Sequence, residues 1–417
     1  MESKELYRHL LGLAEPWTVE RVELDMGQQR VDVYVGHASN TRFACPECGR
    51  ELAMYDHSVE RVWRHLDSCQ FLTYLHASPP RVSCPEHGVR QALLPWAEAG
   101  SRFTNLFEAL AINVLLAANI KRAAQLLRIS WDQAQHLMER AVVRGRASKG
   151  DTLPSLLGVD EKAIAKGHQY MTLVCDLEEA TVEYIGDDRK EESLAAYFEA
   201  FGQERCAKEI GAISLDMWPA FIGACEENVP GADQKMVFDR FHIMQHVGRA
   251  VDRVRRQEHK ALVAKGDNTL ARSKYLWLYN AENMPTQARE RFDEIKQCNL
   301  KTGRAWALKE SLRELWNYRT AGWAKRFWQR WYFWATHSRL PAMIEAAKLI
   351  ARHLPNVLTY FKHRITNAVA EGLNSKIATI QKRACGFRNR DHFKIAVYFH
   401  CGGLDLYPAS PTHGQPG

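Results

Sequence analysis

The chain has 417 residues and is poor in several features that would fix its class at once. No stretch approaches the roughly 20 consecutive apolar residues of a membrane-spanning helix, so a helical membrane protein is not expected. The opening MESKELYRHLLGLAEPW carries acids and lacks an adequate apolar core, so no secretory signal is read there. The ten cysteines are scattered and only a few stand at ligand spacing, which argues against a disulfide scaffold and for a reducing, cytoplasmic setting. No repeat of 20–50 residues is present, which excludes a solenoid. Charge of one sign is barely in excess: 56 Lys and Arg against 49 Asp and Glu, a formal +7. That mild basicity suits a nucleic-acid partner without demanding one. With 46% hydrophobic and 25% charged residues, the chain is ordinary for a globular protein of several domains.

The N-terminal third carries the first chemistry. TVERVEL and RVDVYV alternate around MGQQ and predict a hairpin. C-P-E-C at Cys45 and Cys48 is followed by C-P-E-H at Cys84 and His87. A two-residue gap lets both ligands of a turn face one ion, and two such turns supply the four ligands of tetrahedral zinc. The segments ERVWRHL and FLTYLHA are expected to join the turns as strands of a zinc ribbon. Cys69 has no paired neighbour and is expected in the core, while His57, His65 and His76 read as strand or loop residues. Next, RFTNLFEALAINVLLAAN predicts an apolar helix. IKRAAQLLRISWDQAQHLMERAVVRGRA predicts two more, broken at Arg128–Ser130, with Ser130 as N-cap. This has the shape of a helix-turn-helix, and Gln133, Gln135, His136 and Arg140 are its candidate groove-facing residues. A plain helical hairpin has a similar pattern.

In the middle of the chain, LPSLLGVD, GAISLD and KMVFD read as buried strands that end in Asp160, Asp216 and Asp239. HQYMTLVCDLE and TVEYIGDD read as two more strands, joined by a tight turn at 178–180. Carboxylates gathered at one sheet edge repel one another, and divalent cations with oxygen ligands relieve that repulsion. Any single strand-end Asp is more simply a cap for the next turn or helix. From Arg240 to about Phe361 nearly everything reads as helix, including WAKRFWQRWYFW with Trp323, Phe327, Trp328, Trp331 and Trp334 at helical spacing. Such a stripe is expected mainly in the core. TNAVAEGLNSKIATIQKRACGFRNRDHF then places Glu371, Asn374, Ser375 and Ala378 on one helix face. Its basic continuation, Lys376, Lys382, Arg383, Arg388 and Arg390, suits phosphate contact.

These stretches, taken in order, resemble the bacterial insertion-sequence transposases of the ISL type: CPEC with CPEH, GVDEKAIAKGHQYMTLVCDLE, SLDMWPAFIGACEENVPGADQKMVFDRFHI and TNAVAEGLNSKIATIQKRACGFRNRDHF. The resemblance implies a multi-domain α+β chain with a ribonuclease-H-like catalytic domain. It implies that Asp160, Asp216 and Glu371 bind Mg²⁺ (or Mn²⁺) as the catalytic triad, and that zinc sits on Cys45, Cys48, Cys84 and His87. Asp239 and His242 resemble a D-x-x-H pair with a supporting role. One departure is His87, where the second ligand turn ends in His rather than Cys. The expected organisation is a hairpin and ribbon over 1–98 and a helix-turn-helix over 99–150. A catalytic domain over 151–400 follows, with a helical insertion at about 240–361, and a loose tail over 401–417. The expected partners are terminal-repeat and target DNA and further copies of the chain, with no membrane. The rival readings are a DNA-binding regulator and a nuclease that cuts without joining. In GVDEKAIAKG, alternation turns Asp160 inward and Glu161 the other way, and it leaves Lys162 and Lys166 to meet phosphate.

Overall fold

The computed structural model describes residues 2–165, 169–279, 281–298 and 300–409, so Lys166 lies outside the described residues. The chain divides into two compact units: unit 1 comprises 1–150, 380–400 and 404–417, and unit 2 comprises 151–379 with 401–403. None of the described helices is long and apolar enough to cross a membrane.

Unit 1 opens with the hairpin read from the sequence, β1 (Trp17–Asp25) and β2 (Arg30–His37), paired antiparallel from Trp17 with His37 to Asp25 with Arg30. Six more strands follow: β3 (Arg42–Ala44), β4 (Glu51–His57), β5 (Arg61–Arg64), β6 (Leu72–Ala77), β7 (Pro80–Cys84) and β8 (Gly88–Gln91). They form two sheets, ordered β1-β2-β6-β5 and β3-β4-β7-β8. The expectation that ERVWRHL and FLTYLHA belong to the ribbon is therefore corrected, because they supply β5 and β6 and complete the sheet of the first hairpin. Their apolar side chains explain the choice. Trp63 and Leu75 are fully buried with Trp17, Val33 and Trp96, and Trp17 and Trp63 both meet Trp96 edge-on. β3, β4, β7 and β8 form the second sheet, beside the ligand turns, and add Phe43 and Val82 to the same core. Cys69 is exposed, with a left-handed backbone at φ 49°, and so is not the core residue expected.

The helical part of unit 1 contains Asn105–Ala117, Ile120–Leu127 and Trp131–Lys149. Thr104 caps the first helix and Asn119 the second, while Ser130 and Gln133 form a capping box on the third. The break falls at Arg128, whose left-handed backbone ends the middle helix. The helix Arg390–Cys401 packs here through residues up to 400, with Arg146 over Tyr398 and Trp131 against His392. Residues 380–400 thus belong to unit 1 and not to unit 2, where the expected domain over 151–400 had put them. Nor is the tail loose from 401. Leu406 is buried and Tyr407 Oη donates to Asn113 Oδ1 at 2.6 Å. Gly145 makes this packing possible, since a Cβ there would lie 2.6 Å from Leu404 Cβ and 2.8 Å from the Asp405 carbonyl. Residues 410–417 lie outside the described residues.

Unit 2 is built on a mixed sheet of β9 (Leu156–Ala165), β10 (Gln169–Asp176), β11 (Thr181–Gly186), β12 (Ala212–Leu215) and β13 (Met236–Phe238), in the order β11-β10-β9-β12-β13. The first three strands are antiparallel, and β12 and β13 run parallel to β9. β9 does not end at Asp160 as the sequence suggested. It pairs with β10 as far as Ala165, while its parallel partner β12 is paired only as far as Gly158. Asp160 therefore lies just past the end of one neighbour and in the middle of the other. The long helix Arg240–Val263 begins directly after β13, and helices Lys301–Arg313 and Pro341–Arg352 pack on it. The aromatic stripe splits between two environments: Trp328 and Trp331 are buried, whereas Trp323 is 58% exposed and Trp334 45% exposed.

Candidate active site and metal centre

The two ligand turns of unit 1 meet. Among the described residues, Cys45, Cys48, Cys84 and His87 form the only group of three or more ligand atoms that all lie within 4.8 Å of one another. Cys48 Sγ is 3.8 Å from Cys84 Sγ, and His87 Nδ1 is 3.5 Å from Cys84 Sγ and 3.9 Å from Cys45 Sγ. Zinc bonds of about 2.3 Å to sulfur and about 2.0–2.1 Å to nitrogen give tetrahedral edges of about 3.8 Å and about 3.5 Å. The four side chains fit a zinc ion. Hydrogen bonds from the backbone of Cys48 and Glu47 hold the Cys45 thiol below its ordinary range, and the His87 side chain does the same for Cys84, which favours the thiolate at both, whereas burial and the adjoining Cys45 and Cys84 push the Cys48 thiol up.

The helix-turn-helix candidates fare unequally. His136 is exposed. Gln133 spends its side chain on the capping box. Gln135 is buried, and its amide donates to Glu139 at 2.9 Å. Arg140 pairs with Glu98 at 3.1 Å and with the buried Glu108 at 3.5 Å, beside Arg144. Gln135 is therefore turned into the core and Arg140 is engaged in ion pairs, unlike the exposed His136. Spacing had placed them on the helix, but not on its outward side. Among the basic residues near the C-terminus, Lys376, Lys382, Arg388 and Arg390 are exposed, while the exposed Arg383 donates to the Ala117 carbonyl at 2.8 Å and so closes the end of helix Asn105–Ala117.

In unit 2 the strand pattern aligns three acids. Ser214 lies opposite Gly158 and Leu215 opposite Phe238, so Asp216 stands level with Asp160, two steps on, and with Asp239, one step on. Neighbouring strands are about 4.8 Å apart, and in-register residues of parallel strands project to the same face. The helix Ala368–Arg383 brings Glu371 and Asn374 to this edge. Asn374 Nδ2 donates to Asp160 Oδ2 at 2.6 Å, and the Glu161 N–H donates to Asp160 Oδ1 at 2.8 Å. The buried Asp239 accepts from Phe241 N–H at 3.0 Å as N-cap of its helix and from Asn367 N–H at 3.2 Å. His242 Nδ1 lies 3.5 Å from Asp216 Oδ2. Glu161 turns to the other side and meets Arg189 at 3.2 Å. Lys162, expected to meet phosphate, has its Nζ donating to the Asn374 backbone carbonyl at 2.9 Å.

Burial pushes the Asp160 carboxyl above its ordinary range. Glu371 is raised as well, first by burial and then by the charges of Asp239 and Asp160. Negative charge is thus crowded and undercompensated at this edge, the condition a divalent cation relieves. Residues missed in the sequence complete the surroundings. His246, one turn beyond His242, is lowered mainly by burial while Asp216 pulls it the other way. Asn367 is fully buried and donates to the Val159 carbonyl at 3.3 Å. It lies one turn before Glu371, which is the only sequence signal it carries.

A zinc centre, a capped helix-turn-helix and an acid-edged mixed sheet in one chain define a DNA-processing enzyme. Comparison with known proteins specifies its kind. The DDE transposase model of family ISL3 matches residues 157–397. A zinc-finger model of the IS204/IS1001/IS1096/IS1165 transposases matches 41–87, and a helix-turn-helix model of transposase family ISL3 matches 92–142. The chain is 28% identical over 395 residues to the transposase for insertion sequence element IS1001 of Bordetella parapertussis, covering 93% of this chain and 96% of that protein. It is 27% identical over 446 residues to the transposase for insertion sequence element IS1557 of Mycobacterium tuberculosis, covering 100% of this chain and 99% of that protein. The chain belongs to the ISL3 family of insertion-sequence transposases.

Proposed function

We propose that Asp160, Asp216 and Glu371 are the catalytic acids and that the five-stranded sheet of unit 2 is a ribonuclease-H-like core. The observation that carries this reading is the register of β9, β12 and β13, which levels Asp160, Asp216 and Asp239 at one sheet edge, with Glu371 raised first by burial and then by the charges of Asp239 and Asp160. The antiparallel β9–β11 and parallel β12 and β13, in the order 3-2-1-4-5, support the core assignment.

In this reading Asp160, Asp216 and Glu371 would hold Mg²⁺ or Mn²⁺. Such ions supply charge stabilisation at phosphate and lower the pKa of an attacking water or hydroxyl. The protein's own part is orientation. Asn374 and the Glu161 amide fix both oxygens of Asp160, and His242 steers Asp216. Asp239 serves as helix cap and anchor for Asn367, which makes it a supporting residue. The zinc ribbon and helix-turn-helix read the terminal inverted repeats, with His136 as the one groove candidate still exposed and unspent on a cap or ion pair. Joining two ends requires two or more copies on DNA.

The test is a strand-transfer assay on duplexes carrying the inverted repeats that flank the gene, with Mg²⁺. Products joined to target DNA are expected. Asp160→Asn should abolish cleavage and spare DNA binding, and Glu161→Gln should cost far less because Glu161 faces Arg189. Equal loss from both substitutions would sink the assignment. Cutting without joining would leave a nuclease, and binding unaffected by loss of Asp216 without any cutting would leave a regulator.

A further inference from the structure

A cavity of about 770 Å³ opens in unit 2 beside the acid edge, with Glu371 and Asp239 among its lining residues. Its volume is that of a cube about 9 Å on a side, less than the roughly 12 Å width of a DNA major groove alone. A duplex cannot enter it. A single nucleotide can, since cavities of about 300–1,000 Å³ hold small ligands.

The lining suits that guest. One face of helix Arg240–Val263 supplies Phe241, Met244, Gly248 and Arg249 in turn down the cavity. Phe241 is 53% exposed although it stands two residues after Asp239, so a flat apolar ring is presented to solvent at the mouth of an acid site. Gly248 lies on the floor, where a built Cβ would make only ordinary contact with Leu278 Cδ2 at 3.6 Å. Arg249 and Lys274 are exposed on the lining, and among the described residues neither pairs with a carboxylate. The far wall is fixed by the buried Lys309, whose Nζ donates to the carbonyls of Trp277, Leu278 and Tyr279 at 3.3, 3.3 and 2.8 Å. Arg249 donates to the side-chain carbonyl of Gln245 and Lys274 lies over the ring of Tyr275, so both keep their charge unneutralised by a carboxylate. An aromatic face with such cations beside it is the combination that holds an unpaired base and its phosphate.

We propose that this cavity takes one unpaired nucleotide of the DNA at the cut site, its base against Phe241 and Met244 and its phosphate toward Arg249 and Lys274. The role rests on the transposase reading of the neighbouring acids. Drawing one nucleotide out of the stack would fix the register of the strand over those acids.

The probe is the inverted-repeat duplex that flanks the gene, with 2-aminopurine placed in turn at each terminal and adjoining position. It is bound to the full-length protein in Ca²⁺ and read by fluorescence. A rise of several-fold at one or two positions next to the cut is expected, as that base leaves the stack. Phe241→Ala and Arg249→Ala should each remove most of the rise, with folding checked by circular dichroism. A mismatch at the same position should tighten binding to the unsubstituted protein by about tenfold, because the unpairing cost is gone. That gain should vanish in Phe241→Ala. No rise at any position, or a rise that survives both substitutions, overturns the proposal. Cleavage of the same duplexes in Mg²⁺ is scored separately. Cutting without a fluorescence change sinks the cavity proposal alone, and a fluorescence change without cutting sinks the catalytic reading alone.

Discussion

Asn374 holds Asp160: its side-chain amide donates to Asp160 Oδ2 at 2.6 Å, while its own carbonyl accepts from Lys162 Nζ at 2.9 Å. The helix that carries Glu371 is thereby tied to the strand that carries Asp160. Groups that orient a metal-binding carboxylate commonly contribute 10–100-fold to affinity or activity. Asn374→Ala should therefore lower the strand-transfer rate by about 10–100-fold. The Mg²⁺ concentration for half-maximal rate should rise, and DNA affinity should hold. Asn374→Asp should be worse than Ala, because it sets a second carboxylate against Asp160. A rate loss with no change in Mg²⁺ dependence would point to packing rather than orientation.

The same approach depends on a missing side chain. A Cβ on Gly158 would lie 2.8 Å from Asn367 Oδ1 and 3.4 Å from Ala370 Cβ, so the helix comes this close to β9 only over glycine. Leu177 Cδ2, at 2.6 Å, can swing aside, but Asn367 is fixed by its bonds to Val159 and Asp239. Gly158→Ala should destabilise unit 2 by about 1–3 kcal/mol, the usual cost of overpacking. It should also lower activity more than the lost folded fraction explains, because Glu371 and Asn374 move with the helix. Thermal unfolding and strand-transfer rates measured on one preparation decide it. Activity that simply tracks the folded fraction would separate Gly158 from site geometry.

The zinc centre makes a prediction independent of catalysis. The Cys3His cluster joins the two ligand turns of the ribbon, whose sheet buries few large apolar side chains of its own, so the metal is expected to hold it closed. One zinc per chain is expected by metal analysis. Cys84→Ser should lose it, and proteolysis should then open the 41–87 region first. DNA binding should fall, while the melting of unit 2 should be unchanged. A stable ribbon without metal would refute the structural role.

The legible parts of the chain were those in which local pattern and tertiary role coincide. CPEC and CPEH name their ligands because turn spacing alone brings the pairs together. The apolar runs ending at Asp216 and Asp239 name strand ends because β12 and β13 do stop there. Asp160 was found as a residue but misplaced as a strand end, since pairing with β10 carries β9 on to Ala165 and no local signal reports a partner strand. The burial of Gln135 and the pairing of Arg140 were not legible for a related reason. Helical spacing gives faces but not which face is covered, and Arg140 is claimed by Glu98 and Glu108, some 30–40 residues earlier. ERVWRHL and FLTYLHA, read as part of the ribbon, join the sheet of the first hairpin because the burial of Trp63 and Leu75 is decided by Trp17 and Trp96, far away in the chain.

A last prediction concerns pH and unit 1. His65 is buried, with Nδ1 2.9 Å from the hydroxyl of Thr104, the residue that caps helix Asn105–Ala117. Burial lowers its pKa from 6.5 to about 4, with the Arg64 charge adding to the effect. Between those values the unfolded chain binds a proton that the folded one refuses, so stability is full above about pH 6.5 and declines as pH falls toward 4. The loss over that window is at most about 3 kcal/mol. His65→Gln keeps a polar side chain at the helix cap and removes the titration. With zinc held saturating, the melting temperature of the unsubstituted protein should fall between pH 7 and pH 5 by more than that of the variant. Zinc release is common to both proteins and cancels in the difference. Parallel curves would place the acid sensitivity elsewhere in unit 1, at the zinc ligands themselves.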